Sequence, residues 1–353
     1  MLDSPRVEVP DSLEAANEWF EQQRLSDGLP IVPPTEERVL RMLAGTQRSP
    51  QEVVAHVPPR WAPASVEKVA INAVMAGCRP EYLPVVVAAV EALNEPDFNL
   101  YGIQATTGYV GPAVIVSGPV ARELNINAGA GCFGPGWRAN ATIGRAVRLI
   151  LLSIGGGTPG DMDRATFGWP GKYGFCFAED EATNPWEPLR VERGFGAGDS
   201  TVTVAGVNAL IPLISQAGQS GEATLEMMAQ ALVGHGGGGH MRVGGFGSGT
   251  PVIAFSPDTA SVVARDFRSK RDIQRYLWEH AVVPLAGQRG ADDYPLEELT
   301  ARCGNITPDG LVHLSDKPED IVPVVCGGHG GHCVLLPGWA GRNTRVVTKA
   351  IQA

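Results

Sequence analysis

The chain has 353 residues, 44% of them hydrophobic, with a formal net charge of −10 and a pI near 5.2. That apolar fraction supports a sizeable core, in one two-lobed unit or in two domains. The acidic balance argues against nucleic acid and against an anionic membrane surface as partners, and with no apolar run of about 18 residues no membrane-spanning helix is expected.

The N-terminus lacks the apolar core of a signal peptide. The six cysteines are scattered rather than spaced as a disulfide framework. A cytoplasmic location with reduced thiols is therefore expected. There are 44 glycines, about 12% against the usual ~7%. They show no collagen-like period, so loops must hold them.

The chain opens with a helical pattern over 12–24, with Leu13, Ala16, Trp19 and Phe20 on one face. The prolines of segment 28–34 keep it extended. Thr35 caps a short helix over 36–44 that Gly45 ends. Residues 46–64 read as irregular. Ser65 caps a helix over 66–76, and a second helix over 81–94 is apolar almost all round, hence buried. Residues 95–112 read as a loop that carries Thr107 into the first strand.

Two segments then look alike. Ala113–Pro119 and Val252–Pro257 are both short apolar, β-branched runs closed by proline, the mark of a buried strand. They align at an offset of 138. The helices that follow align at an offset of 130, Ile143 on Ile273 and Arg145 on Arg275. The difference of eight residues matches the stretch 129–136, Gly-Ala-Gly-Cys-Phe-Gly-Pro-Gly. A weaker likeness pairs 171–177 with 330–336. The fold class expected is α/β. It has two pseudo-repeated halves, 66–198 and 199–353, each a strand with flanking helices, behind a helical N-terminal segment, 1–65.

Four glycines in eight residues suggest positive φ or close approach to something. The loop empties into a helix N-terminus, where free N–H groups favour an anion. Arg138, Asn140, Gly131 and Gly134 are therefore candidate substrate-binding residues, with Thr107, Lys172 and Tyr173 on other strand-flanking loops. A tight crossover loop with no ligand is the plainer alternative. The spacing Gly129-x-Gly131-x-x-Gly134 matches a dinucleotide fingerprint in its letters only, because no strand directly precedes it.

Cys132 lies in the same loop, near a helix start and Arg138, where a thiol can become a nucleophile. Its alternative is a small buried apolar residue. Four of the seven histidines sit in two glycine-rich loops, at His235, His240, His329 and His332, and Cys326 and Cys333 flank the last pair. Such residues bind zinc or another divalent metal, or serve as acid and base without one, or only hydrogen-bond the loops. His332 and His240 are the first candidates for proton transfer, with Cys132 as the attacking group.

Three stretches carry a resemblance: 25–35, 72–82 and 129–145, which reads Gly-Ala-Gly-Cys-Phe-Gly-Pro-Gly-Trp-Arg-Ala-Asn-Ala-Thr-Ile-Gly-Arg. They resemble an uncharacterised bacterial family found beside, or fused to, small proteins with a Sec-Gly-Ser-Cys (UGSC) or Cys-Gly-Ser-Cys (CGSC) motif. The resemblance implies a bacterial cytoplasmic protein with a thiol- or selenol-bearing partner. It carries over no catalytic residue, and this chain has no such motif of its own.

The expected function is an enzyme acting on a small polar or anionic organic molecule by hydrolysis, hydration or elimination, working as a homo-oligomer. The alternative is a non-catalytic, substrate-presenting subunit for a CGSC/UGSC-type redox partner.

Overall fold

The computed structural model describes residues 2–9, 11–215, 219–235, 249–286, 295–302, 305–339 and 344–352. Helices and mixed sheets make an α/β fold.

In chain order, α1 (Leu13–Gln22) and α2 (Glu36–Leu43) precede β1 (Val53–Val57) and β2 (Ala62–Ser65). These two strands form an antiparallel pair, so the segment read as irregular holds a two-stranded sheet. Next come α3 (Val66–Ala76), α4 (Leu83–Leu93) and α5 (Leu100–Ala105). The last lies where a loop was expected. Asn99, in the left-handed region at φ 54, starts it by accepting the Gly102 N–H.

The first main sheet uses β3 (Gly111–Ser117), β4 (Cys176–Ala178) and β5 (Thr201–Val207). Between these strands lie α6 (Pro119–Glu123), α7 (Arg138–Ser153) and α8 (Leu189–Glu192). After β6 (Ile211–Ile214) and α9 (Gly221–His235), β7 (Val252–Phe255) leads into α10 (Pro257–Asp266) and α11 (Lys270–His280). A small antiparallel pair, β8 (Val282–Pro284) and β9 (Leu311–His313), flanks α12 (Leu296–Arg302). The chain closes with β10 (Val322–Val325), β11 (His332–Leu336) and β12 (Val347–Ala350).

The two four-stranded sheets, β12-β5-β3-β4 and β10-β7-β11-β6, share one pattern. In each, a central strand (β3 or β7) has one parallel neighbour (β4 or β10). On its other side it has one antiparallel neighbour (β5 or β11). An edge strand then completes each sheet: β12 pairs with β5, and β6 with β11. The strands aligned in the sequence, β3 and β7, hold equivalent places. The weaker pairing needs correction: the strand within 171–177 is parallel to β3, whereas the strand within 330–336 is antiparallel to β7. A boundary at 198/199 separates β5 from its partner β3.

The sheets pack face to face. Alternate residues point inward, Ala113 and Ile115 on β3 against Val252 and Ala254 on β7, with Phe177 and Leu336 in the same cluster. The residues between them point outward. Val114 and Val116 meet α3, α4 and α7, while Ile253 and Phe255 meet α9, α10 and α11. The result is four layers, helix–sheet–sheet–helix. The central strands β3 and β7 are covered on both faces, which explains why they read as continuous apolar runs rather than alternating ones.

Gly144 of α7 lies against the chain entering β4. A Cβ there would sit 2.7 Å from the Phe175 nitrogen and 3.0 Å from the Gly174 carbonyl carbon. Gly144→Ala is expected to lower stability by about 2 kcal/mol through overpacking, read from the urea midpoint. Gly198→Ala, where a Cβ meets nothing within 4 Å, is expected to stay within about 0.5 kcal/mol.

Candidate functional site

The connection between α6 and α7 runs over 124–137, whereas α10 and α11 are separated only by 267–269. The glycine stretch therefore lies in the longer of two equivalent connections. Of its four glycines, Gly131 (φ 70) and Gly136 (φ 121) require the left-handed region. Nothing crowds the other two within 3.4 Å, so the sequence pattern reports backbone conformation here and not close approach.

Two asparagines fix this loop. Asn140, buried in the first turn of α7, donates to the carbonyls of Asn127 (3.0 Å) and Cys132 (3.2 Å). Its Oδ1 accepts the Asn127 N–H at 2.8 Å. Asn127 in turn donates to the Ala130 carbonyl and accepts the Gly129 N–H. Asn140, expected to bind substrate, has its amide fully used in positioning Cys132. Arg138 points elsewhere, donating twice to the Gly77 carbonyl, at 3.0 and 2.8 Å, and so capping the end of α3. It lines a separate pocket of about 280 Å³ with Arg38, Arg41 and Arg79. Gly131 and Gly134 are exposed.

The loop delivers Cys132 to the junction of the two sheets. Gly327 N–H donates to the Ala128 carbonyl at 2.7 Å, and Asp180 N–H to the Val325 carbonyl at 2.8 Å. These bonds bring together the loop before α7 and the carboxyl ends of β4 and β10, where open α/β sheets place ligands. Cys132 and Cys326 are 4% and 3% exposed and pack in one buried cluster, near enough for each thiol to shift the titration of the other. The Cys326 S–H bond is the largest influence on Cys132 and holds its pKa below the ordinary thiol value. Backbone N–H groups of Gly327, Cys132 and Phe133 add to this against the opposing effect of burial. Cys326 is pushed well above that value by the same bond, by burial and by the nearby Cys132, Glu179 and Asp180 charges. Of the two thiols, Cys132 is thus the more acidic and Cys326 holds its proton more firmly. Phe133 packs edge-on against Phe175 and Phe177, at 5.1 and 4.7 Å, and forms an aromatic wall beside the pair.

Glu179, just past β4, accepts from Ser117 Oγ at 2.9 Å, from the Leu189 N–H and from Lys270 Nζ at 3.2 Å. Lys270 also faces Glu192 at 3.5 Å. Both side chains of the Glu179–Lys270 pair are fully buried. This ion pair joins β4 of one half to α11 of the other, directly below the thiols.

The histidines divide. His329 and His332 are exposed. His329 Nδ1 bonds Asp258 at 2.8 Å, and that carboxylate raises the imidazole pKa. With Nδ1 taken by Asp258, only Nε2 of this ring is open to another partner. The His332 carbonyl accepts the Ser256 N–H. His240 and the His235 side chain lie outside the described residues. Among the described residues, no group of three or more His, Cys, Asp or Glu side chains could hold a metal ion. Cys333, expected to flank a metal, is buried, and its thiol is pushed up to about 12 by that burial. Lys172 and Tyr173 line a different cavity, of about 740 Å³. The Thr107 carbonyl anchors its rim by accepting the Thr166 N–H at 2.9 Å.

The residue that sequence reasoning passed over is Cys326 as partner of Cys132. The available signal was its place at the end of a buried strand followed by two glycines. No known protein family matches this chain, and neither does any curated protein.

Proposed function

We propose that the chain is an enzyme that hydrolyses a small polar or anionic organic molecule, with Cys132 as nucleophile and Cys326 as its proton partner. One observation carries this: two buried thiols packed in one cluster, the pKa of one lowered and that of the other raised, where the loop before α7 meets the carboxyl end of a parallel strand. The Cys132 sulfur attacks the substrate carbonyl carbon and forms an S–C bond. The bond to the leaving group breaks, and the leaving group takes the Cys326 proton. Water then cleaves the thioester, giving its hydroxyl to the acyl carbon and its proton to Cys326, which restores the pair. Acid–base roles expected of His240 and His332 pass to the thiols in this reading. Five cysteines are free among the described residues, and no described helix is long and apolar enough to cross a membrane. Both fit a cytoplasmic enzyme.

The second reading is a subunit that serves a CGSC/UGSC-type partner. The contact between Cys132 and Cys326 favours it, since a neighbouring dithiol can exchange with a partner's disulfide or selenylsulfide. A panel of small esters, thioesters and amides separates the two. The hydrolase reading expects turnover by the chain alone, lost by at least about 10³-fold in Cys132→Ala and retained in His332→Ala. Turnover that survives Cys132→Ala, or that needs an added thiol partner, would overturn it.

A further inference from the structure

The cavity of about 740 Å³ near Lys172 lies apart from the thiols. Its volume falls within the range of about 300–1,000 Å³ typical of small-molecule sites. Its floor is charged and buried. Lys172 and Arg148 share one carboxylate, Asp163, at 2.6 and 3.6 Å, and all three side chains line the cavity. Burial pushes the pKa of both cations down, while Asp163 raises it. Asp27, which also lines the space, is held by Arg145 at 2.8 Å, a residue outside the lining. The floor therefore carries two cations against one carboxylate. At the mouth lie Glu21 and Arg24, the latter with its backbone held at φ 55. A buried excess cation is unfavourable until an anion pairs with it.

The walls are aromatic. Trp169, Tyr173 and Phe167 line the cavity, and Phe167 is 87% exposed. The Trp169 indole N–H is buried with no hydrogen-bond partner among the described residues, which is uncommon for such a donor. Trp169 also meets Phe175 edge-on at 5.8 Å, so the wall is continuous with the one beside Cys132.

We propose that this cavity binds a small carboxylate with a planar apolar body. The carboxylate sits on Lys172 and Arg148, and the planar part lies among Trp169, Tyr173 and Phe167. An Arg–Lys floor recognises the anion, and the rings take the planar face. The assignment stands on this cavity alone and does not depend on the thiol chemistry.

Calorimetric titration of the full chain with benzoate, and with benzamide as the neutral isostere, tests it. Benzoate is expected to bind about tenfold or more tightly than benzamide, and Lys172→Gln to remove most of that difference. Arg24→Gln, at the exposed mouth and outside the buried charge cluster, is expected to weaken benzoate about threefold, and it carries the test if Lys172→Gln does not fold. Cys132→Ala is expected to bind benzoate as the wild type does. Equal affinity for the two probes, no benzoate binding up to about 10 mM, or benzoate affinity unchanged in both charge variants would overturn the proposal.

Discussion

Replacing Lys270 with Met is expected to lower stability by about 3–5 kcal/mol, because it strands a buried carboxylate. Lys270 Nζ faces Glu179 at 3.2 Å and Glu192 at 3.5 Å, in a place where neither Lys270 nor Glu179 is exposed. Methionine fills much of the same volume, so the loss is electrostatic rather than a cavity. Burial already raises the Glu179 pKa, against the pull of Lys270 and of its hydrogen bonds from Leu189 and Ser117. Without Lys270 the value rises further. A carboxyl group whose folded pKa is raised contributes stability below its unfolded pKa, about 4.3, and loses it as the pH rises through the folded value. The deficit of Lys270→Met is therefore expected to grow from pH 5 to pH 8, as measured by urea unfolding at each pH. An equal deficit at both would mean that the pair is not the source. Lys270→Met combined with Glu179→Gln is expected to recover part of the loss, since the stranded charge is then gone.

Replacing Cys326 with Ala is expected to slow alkylation of Cys132 at pH 7 by about tenfold, one decade for each pKa unit regained. The Cys326 S–H is the largest influence that lowers the Cys132 pKa. Removing it leaves the backbone N–H groups of Gly327, Cys132 and Phe133 against the opposing effect of burial. Cys326→Ser keeps a hydrogen-bond donor in place and is expected to stay close to wild type. Peptide mapping after timed iodoacetamide labelling gives both rates. Identical slowing in the serine and alanine variants would point to disturbed packing instead of a lost hydrogen bond.

Local signals in the sequence were read well where chemistry is local. Ser65 caps α3 and Gly77 closes it in the left-handed region. The apolar runs at 113–117 and 252–255 are buried strands, and the surplus stretch before α7 is a loop that presents Cys132. What was not legible depends on contacts between distant segments. β12 is four residues long and holds Lys349, and its order comes from pairing with β5. Asn140 and Arg138 looked like ligand-binding groups by position, yet their partners, Asn127 and the Gly77 carbonyl, lie in other segments. His329 stood in a metal-like pattern, but Asp258, on the helix after β7, takes its Nδ1. Cys326 was grouped with its neighbours in sequence, while its working contact, Cys132, is set by the packing of one sheet on the other.

The pH–rate profile of iodoacetamide alkylation at Cys132 in the wild-type chain tests the central claim most directly. Hydrogen bonds from Cys326 and the backbone predict a midpoint below that of an ordinary thiol, about 8.5, with Cys132 the first cysteine labelled. A midpoint at or above that of an ordinary thiol, or first labelling at another cysteine, would contradict the assignment of Cys132 as the reactive group.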